Sequence, residues 1–198
     1  MKMTNSDKFD PHESFYHGLI KSKLWLCEEL ETSIYRECLS KPTLHILGCW
    51  DNLLAFMLLT RKPTFYNEIH GYDINPEAIA TANRVCDMWK YESPKVHNYI
   101  QDVNDYDFNR HTNSIFINCS IDQMDSNNWY NSVPNDSLVC IQTTNITDPE
   151  FPWYIKQTTS SLDELINKFN LRRLLYSGKK RIQYKENGYN RYMIIGCK

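Results

Sequence analysis

The chain has 198 residues, enough for one ordinary domain with a helical extension. Its 41% hydrophobic and 13% aromatic content excludes a disordered chain. A formal charge of -2 excludes a general electrostatic drive toward nucleic acid, though it leaves room for a local basic patch. The seven cysteines are scattered, odd in number and free of any C-x-x-C pair, so they read as reduced core thiols. The six histidines show no ligand spacing, and no metal is expected. The polar, acidic N-terminus lacks the pattern of a signal peptide. No apolar run approaches the ~20 residues needed to cross a bilayer. The expectation is a soluble protein that stays in the cytoplasm.

Residues 1–11 are polar and read as a loose tail. Over residues 13–39, Phe15, Leu19, Leu24, Leu26, Leu30, Ile34 and Leu39 recur at helical spacing. This predicts a long helix, with a break at Gly18 as one option, stopped by Lys41-Pro42. Residues 43–47 read as a buried strand ending at Gly48. Residues 52–60 read as a covered helix with Asp51 as N-cap, ended by Arg61-Lys62-Pro63. A second strand over 66–72 leads into Asp73-Ile74-Asn75-Pro76, and Pro76 opens a helix reaching Lys90. Strands follow at 96–100, 114–118 and 137–142, with a short helix over 124–131. Strands and helices alternate to this point, the pattern of a parallel sheet wrapped by helices. Then come a helix over 162–169, capped by Ser160 or Ser161, and two closing strands at 171–176 and 189–197. The basic stretch Gly178-Lys179-Lys180-Arg181 and a turn at Glu186-Asn187-Gly188 would join them as an edge hairpin. The tail and first helix (1–41) are expected to pack on the remaining core (42–198) as one unit.

In an open α/β sheet, ligands bind beyond the carboxyl ends of the strands. Those ends carry Gly48-Cys49-Trp50-Asp51, Asp73-Ile74, Asp102-Val103 and Asn118. Gly48 lets backbone approach a ligand. Asp73 sits where an acid accepts hydrogen bonds from both hydroxyls of a ribose, given its distance from the glycine turn. Ile74 is placed to pack on an adenine face and Asp102 to accept from its amine. The bland alternatives are a helix-start signal for Asp73 and a solvated loop acid for Asp102. Lys23 and Trp25 read either as a lid over the ligand or as packing on the sheet. Trp129 and Tyr130 read either as stacking platforms for a flat substrate or as packing residues. Arg172, Arg173, Lys179, Lys180, Arg181 and Arg191 read either as phosphate contacts or as a solvated hairpin.

The run Leu44-His45-Ile46-Leu47-Gly48-Cys49-Trp50, followed by Gly71-Tyr72-Asp73-Ile74-Asn75-Pro76 and on to Asn83, resembles motifs I and II of class I S-adenosylmethionine-dependent methyltransferases. The segments 18–26 and 128–145 are similar to small methyltransferase-like proteins of tailed phages. The resemblance implies a Rossmann-like, doubly wound, mostly parallel seven-stranded sheet with an antiparallel last strand. It also implies S-adenosylmethionine over the first two strands, a methyl acceptor above the fourth and fifth, and a site in the host cytoplasm for a viral protein. The chain departs from the family pattern at Ile46, where an acid is usual, and at Trp50 and Asn52, where the second and third glycines fall. Asn118-Cys119-Ser120-Ile121-Asp122 stands in place of an Asn-Pro-Pro-Tyr motif. Asp122 is the candidate general base, while Cys119 as a nucleophile lacks a histidine partner. The acceptor is not specified by any motif. Two other readings remain open: a non-catalytic relative that keeps the fold, and an enzyme that uses the same cofactor for another reaction.

Overall fold

The computed structural model describes residues 15–62, 64–87, 95–147, 155–183 and 188–198. The expected tail at 1–11, Pro63, the end of the third helix at 88–90 and the turn residues 186–187 lie outside the described residues.

The order is α1 (His17–Arg36), β1 (Thr43–Leu47), α2 (Leu53–Arg61), β2 (Glu68–Asp73), α3 (Pro76–Cys86), β3 (Lys95–Ile100), β4 (Ser114–Asn118), α4 (Trp129–Ser132), β5 (Leu138–Thr144), α5 (Leu162–Phe169), β6 (Arg173–Ile182) and β7 (Tyr189–Cys197). The strands form one seven-stranded sheet in the order β3-β2-β1-β4-β5-β7-β6. β1 to β5 are mutually parallel, and β7 runs antiparallel to both β5 and β6. This is the doubly wound, Rossmann-like sheet with an antiparallel last strand expected from the sequence.

Strand alternation supplies two cores, one on each face. Leu44, Ile46, Ile115, Ile117, Leu138, Cys140, Met193 and Ile195 point to one side, where α1, α2 and α3 cover them. Leu47, Phe116, Val139, Ile141, Tyr192 and Ile194 point to the other, against Trp129, Leu165 and Phe169. Helix α1 runs unbroken through Gly18, which sits in its first turn. Its Leu26, Leu30 and Ile34 are fully buried. At about 1.5–3 kcal/mol per buried aliphatic side chain, they make α1 integral to the fold.

Local signals set the helix starts. The Asn75 side chain accepts N–H bonds from Glu77 (2.9 Å) and Ala78 (3.2 Å), ahead of Pro76. Ser161 caps α5 through the Glu164 N–H at 3.1 Å, while Glu164 reaches back to the Ser160 N–H at 2.8 Å.

Two elements differ from expectation. The basic stretch 178–181 lies inside β6, because an edge strand leaves alternate side chains in water and tolerates lysine there. The helix expected over 124–131 shrinks to α4, preceded by a one-turn helix at Ile121–Gln123. No helix is long and apolar enough to cross a membrane among the described residues. All seven cysteines are free, and Cys38 is exposed rather than in the core.

The crossover from β3 to β4 holds only a one-turn helix, Val103–Asp105. Rings take the place of a longer helix. Phe116, His45, His70 and His97 stack across four strands with centroids 4.8, 5.2 and 5.3 Å apart. Phe108 and His111 pack onto that row edge-on to His45.

Candidate functional site

The strand order reverses between β1 and β4, so their connections part at the carboxyl edge and leave the crevice where ligands bind in such sheets. The loop after β1 has an alternating backbone there: Gly48, Trp50 and Asn52 are left-handed, with φ of 67°, 54° and 53°. Two of the three are not glycine, yet the loop keeps the shape that three alternating glycines would allow.

Asp73 ends β2 beside this loop. Its Oδ2 accepts the Trp50 N–H at 2.9 Å, and its Oδ1 accepts the Asn75 N–H at 2.9 Å. The side chain is 9% exposed. Burial pushes its carboxyl upward, opposed by backbone N–H bonds from Asn75, Trp50 and Ile74. The two oxygens offer about four acceptor sites, so one remains beyond the three backbone N–H groups. Asp73 does not cap α3, because Asn75 does. Next to it, Ile74 is 68% exposed, an apolar side chain presented to solvent at the strand end. The Gln101 N–H donates to the Asp73 carbonyl at 2.8 Å, which ties the loop after β3 to the same corner.

The remaining expected cofactor residues divide. The Asp51 carboxylate is buried and accepts the Leu53 N–H at 3.2 Å, bracing the start of α2 as expected, although Asn52 holds the capping position itself. Cys49 turns its thiol inward toward Gly71, where burial raises its pKa. Asp102 is exposed and accepts the Asn104 N–H at 2.9 Å. The Val103 side chain is buried in the second core, so only its backbone faces the edge. Asn118 is fully buried, accepting the Ser120 N–H at 3.0 Å. Ser120 in turn donates to the Gly48 carbonyl at 3.0 Å. A Cβ on Gly48 would lie 2.8 Å from that of Ser120, so the loops after β1 and β4 touch at this glycine.

Asp122 needs correction as a free base, and of the readings left open for Trp129, Tyr130 and Trp25 the structure supports packing. Asp122 is not a free base: it is 3% exposed and ion-paired to Arg191 at 3.0 Å. Burial pushes its carboxyl up, and the Arg191 guanidinium is the largest influence pulling it back. Trp129 is wholly buried, between Tyr130 and Phe169, and offers no face to a substrate. Tyr130 is half-buried and spends its hydroxyl on the Phe169 carbonyl at 2.8 Å. Trp25 packs on the sheet, with its Nε1 donating to the Tyr176 hydroxyl at 2.9 Å. Lys23 is half-buried beside Asp51 and Cys119.

Sequence reasoning read Arg191 as either a phosphate contact or part of a solvated hairpin, whereas it is 5% exposed. It donates to Asp122, to the Cys119 carbonyl at 3.2 Å and to Ser22 Oγ at 3.3 Å. Ser22 also donates to Gln142 at 2.9 Å. The missed signal was a lone charge in the apolar run Tyr189 to Ile195, since a charge is buried only when paired. Among the described residues, no group of three or more His, Cys, Asp or Glu side chains could hold a metal.

No family model and no curated protein matches the sequence. Solved structures match the fold. The N-methyltransferase NodS from Bradyrhizobium japonicum superposes with a TM-score of 0.61 at 10% identity, over 93% of this chain and 99% of that one. The magnesium protoporphyrin IX methyltransferase ChlM from Synechocystis, with bound SAH, gives 0.62 at 10% identity, over 96% and 89%. YcgJ from Bacillus subtilis gives 0.62 at 11%, over 87% and 97%. At these identities the likeness is one of fold.

Proposed function

We propose that this chain binds S-adenosylmethionine at the carboxyl edge of β1 and β2 and transfers its methyl group to an acceptor held toward β4 and β5. One observation carries the reading: the left-handed backbone at 48, 50 and 52 stands directly against the Asp73 carboxylate. The residues present fit an adenosine. Asp73 retains an acceptor site for a ribose hydroxyl, the exposed Ile74 offers an apolar face to adenine, and Asp102 with the Val103 N–H borders the base. Gly48 and Asp51 line the methionine end. That NodS and ChlM are methyltransferases, and that ChlM carries SAH, supports the same cofactor here.

When bound, the cofactor supplies a methyl group already activated by a sulfonium. The protein then has to align the acceptor with it and exclude water. The Arg191–Asp122 pair, Ser22 and Gln142 fix α1 across the ends of β5 and β7 and wall off the acceptor side. The phage-like ends suggest a viral enzyme working in the host cytoplasm.

Titration calorimetry with S-adenosylmethionine and with its demethylated product tests the reading. Binding of both is expected, with thermal stabilisation. Absence of heat and of any melting shift with either would overturn it. A second reading, a non-catalytic relative, draws on the packing of Ser120 against Gly48, which narrows the methionine end. Product formation from bound cofactor separates the two, and methylthioadenosine as product would mean cleavage on the other side of sulfur.

A further inference from the structure

The sheet ends in two edge strands, and they are built differently. β6 exposes Arg173, Lys179 and Arg181 along its length and breaks register between Leu174 and Tyr176, devices that keep other strands from adding to an edge. β3 has neither. Its register with β2 is unbroken, its one permanent charge is Lys95 at the first position, and Tyr99 and Ile100 are 41% and 61% exposed. Among the described residues, nothing pairs with its outer edge. The Gln101 N–H points inward to the Asp73 carbonyl, so by strand alternation the backbone groups of His97 and Tyr99 also face β2. Those of Val96, Asn98 and Ile100 therefore point outward.

We propose that β3 pairs antiparallel with β3 of a second copy of this chain, about a two-fold axis through Asn98, so that two sheets become one. The register suits the backbone. Asn98 meets the partner's Asn98 and Val96 meets the partner's Ile100, and pairs of this kind exchange both N–H···O bonds. A slip of one residue would set outward groups against inward ones, and a slip of two would leave Val96 or Ile100 opposite residues beyond the strand. The side chains agree as well. Val96, on the core side beneath α3, lies against the partner's Ile100, and His97, on the other face, lies against the partner's Tyr99. The ring row Phe116, His45, His70, His97 ends at this edge, as does the pair Tyr72 and Tyr99 with centroids 5.3 Å apart. Pairing lets both rows run on into the partner's rings. Lys95 comes opposite the partner's Gln101, one position from the exposed and oppositely charged carboxylate of the partner's Asp102.

The seam is short, on the order of 1,000 Å², so the dimer should be reversible. None of its tests involves a cofactor, and their outcome is independent of the reading above. Sedimentation of the full chain at ~100 µM should show twice the 23.5 kDa chain mass, falling to the single mass on dilution. Ile100→Lys sets a charge against Val96, and Ile100→Pro removes an outward N–H without touching the ladder to β2. Each should give a folded monomer, whereas Leu174→Lys, at an exposed site on β6, should keep the dimer. Disulfides read the register in a Cys38→Ser background, which removes the exposed thiol. A mixture of Val96→Cys and Ile100→Cys proteins should crosslink, and neither protein alone should. A monomer at the higher concentration would overturn the proposal. So would a dimer that survives both Ile100 substitutions or is lost with Leu174→Lys, or crosslinking that is equal in the single proteins and the mixture.

Discussion

The Asp73 carboxylate and the Trp50 backbone N–H are bonded at 2.9 Å, so the acid at the end of β2 also holds the left-handed loop after β1 in shape. Asp73→Asn removes one of the two acceptor oxygens that take N–H groups from Trp50 and Asn75, and sets an NH₂ against a donor. A buried donor left unmet costs about 1–3 kcal/mol, which should appear in urea unfolding. Cofactor affinity should fall by roughly 10- to 100-fold, since the same carboxylate would lose its grip on the ribose. Calorimetry showing unchanged affinity in a folded Asp73→Asn protein would remove the acid from the site.

The Asn52 side-chain amide has its room because position 71 is glycine. A Cβ on Gly71 would lie 2.6 Å from Asn52 Nδ2 and 2.6 Å from Asn98 Oδ1, the two atoms that hydrogen-bond each other at 2.7 Å. Gly71→Ala should therefore destabilise by about 1–3 kcal/mol through overpacking. Asn52→Gly should return part of that loss, because it empties one side of the clash and suits the positive φ. A denaturation double-mutant cycle reads the coupling, and strictly additive losses would show that the two positions do not share this space.

Much of this architecture was legible along the chain, and the failures have a common cause. The alternation of Leu44 and Ile46 with His45 and Leu47 marks a strand buried on both faces, and Asn75-Pro76 announces α3 because its signals are local. Gly48 and Asp73 could be paired because both stand at strand ends of a parallel sheet. What could not be read depends on contacts distant in sequence. Trp129 as packing rather than platform is decided by Phe169. Arg191 as a buried cation is decided by Asp122. The lysines of β6 looked like a loop because an edge strand with solvated side chains has no compositional mark of its own. Trp50 in a left-handed conformation runs against its residue type, and its N–H bond to Asp73, distant in sequence, helps to hold it there.

The Arg191–Asp122 pair yields a prediction about stability rather than chemistry. Arg191→Met leaves Asp122 charged, buried and unmatched, at a cost of about 3–5 kcal/mol in urea unfolding. Adding Asp122→Leu should recover much of that loss, because no unpaired charge then remains, although the Cys119 carbonyl and Ser22 still lose a donor. A double variant as unstable as the sum of the singles would argue that the ion pair is not what holds this region.

The ring row on the outer face of the sheet makes the fold sensitive to acid. His45 is fully buried between Phe116 and His70, with His111 edge-on at 4.5 Å. Burial first, then the neighbouring His111 and His70, lower its pKa from 6.5 to about 3. His70 and His111 are also lowered, by burial above all. The unfolded chain thus binds protons on these rings at a pH where the folded protein does not, so stability falls as pH drops below the unfolded value, down toward the folded one. For His45 alone the loss is about 2 kcal/mol at roughly pH 5 relative to neutral. His45→Phe keeps a flat ring in the row but removes the titration and the 3.0 Å bond to the Tyr72 hydroxyl. It should be less stable at neutral pH by about 1 kcal/mol, with a shallower acid slope. Urea midpoints measured from neutral pH downward would decide: parallel wild-type and variant curves would mean that His45 does not carry the acid sensitivity.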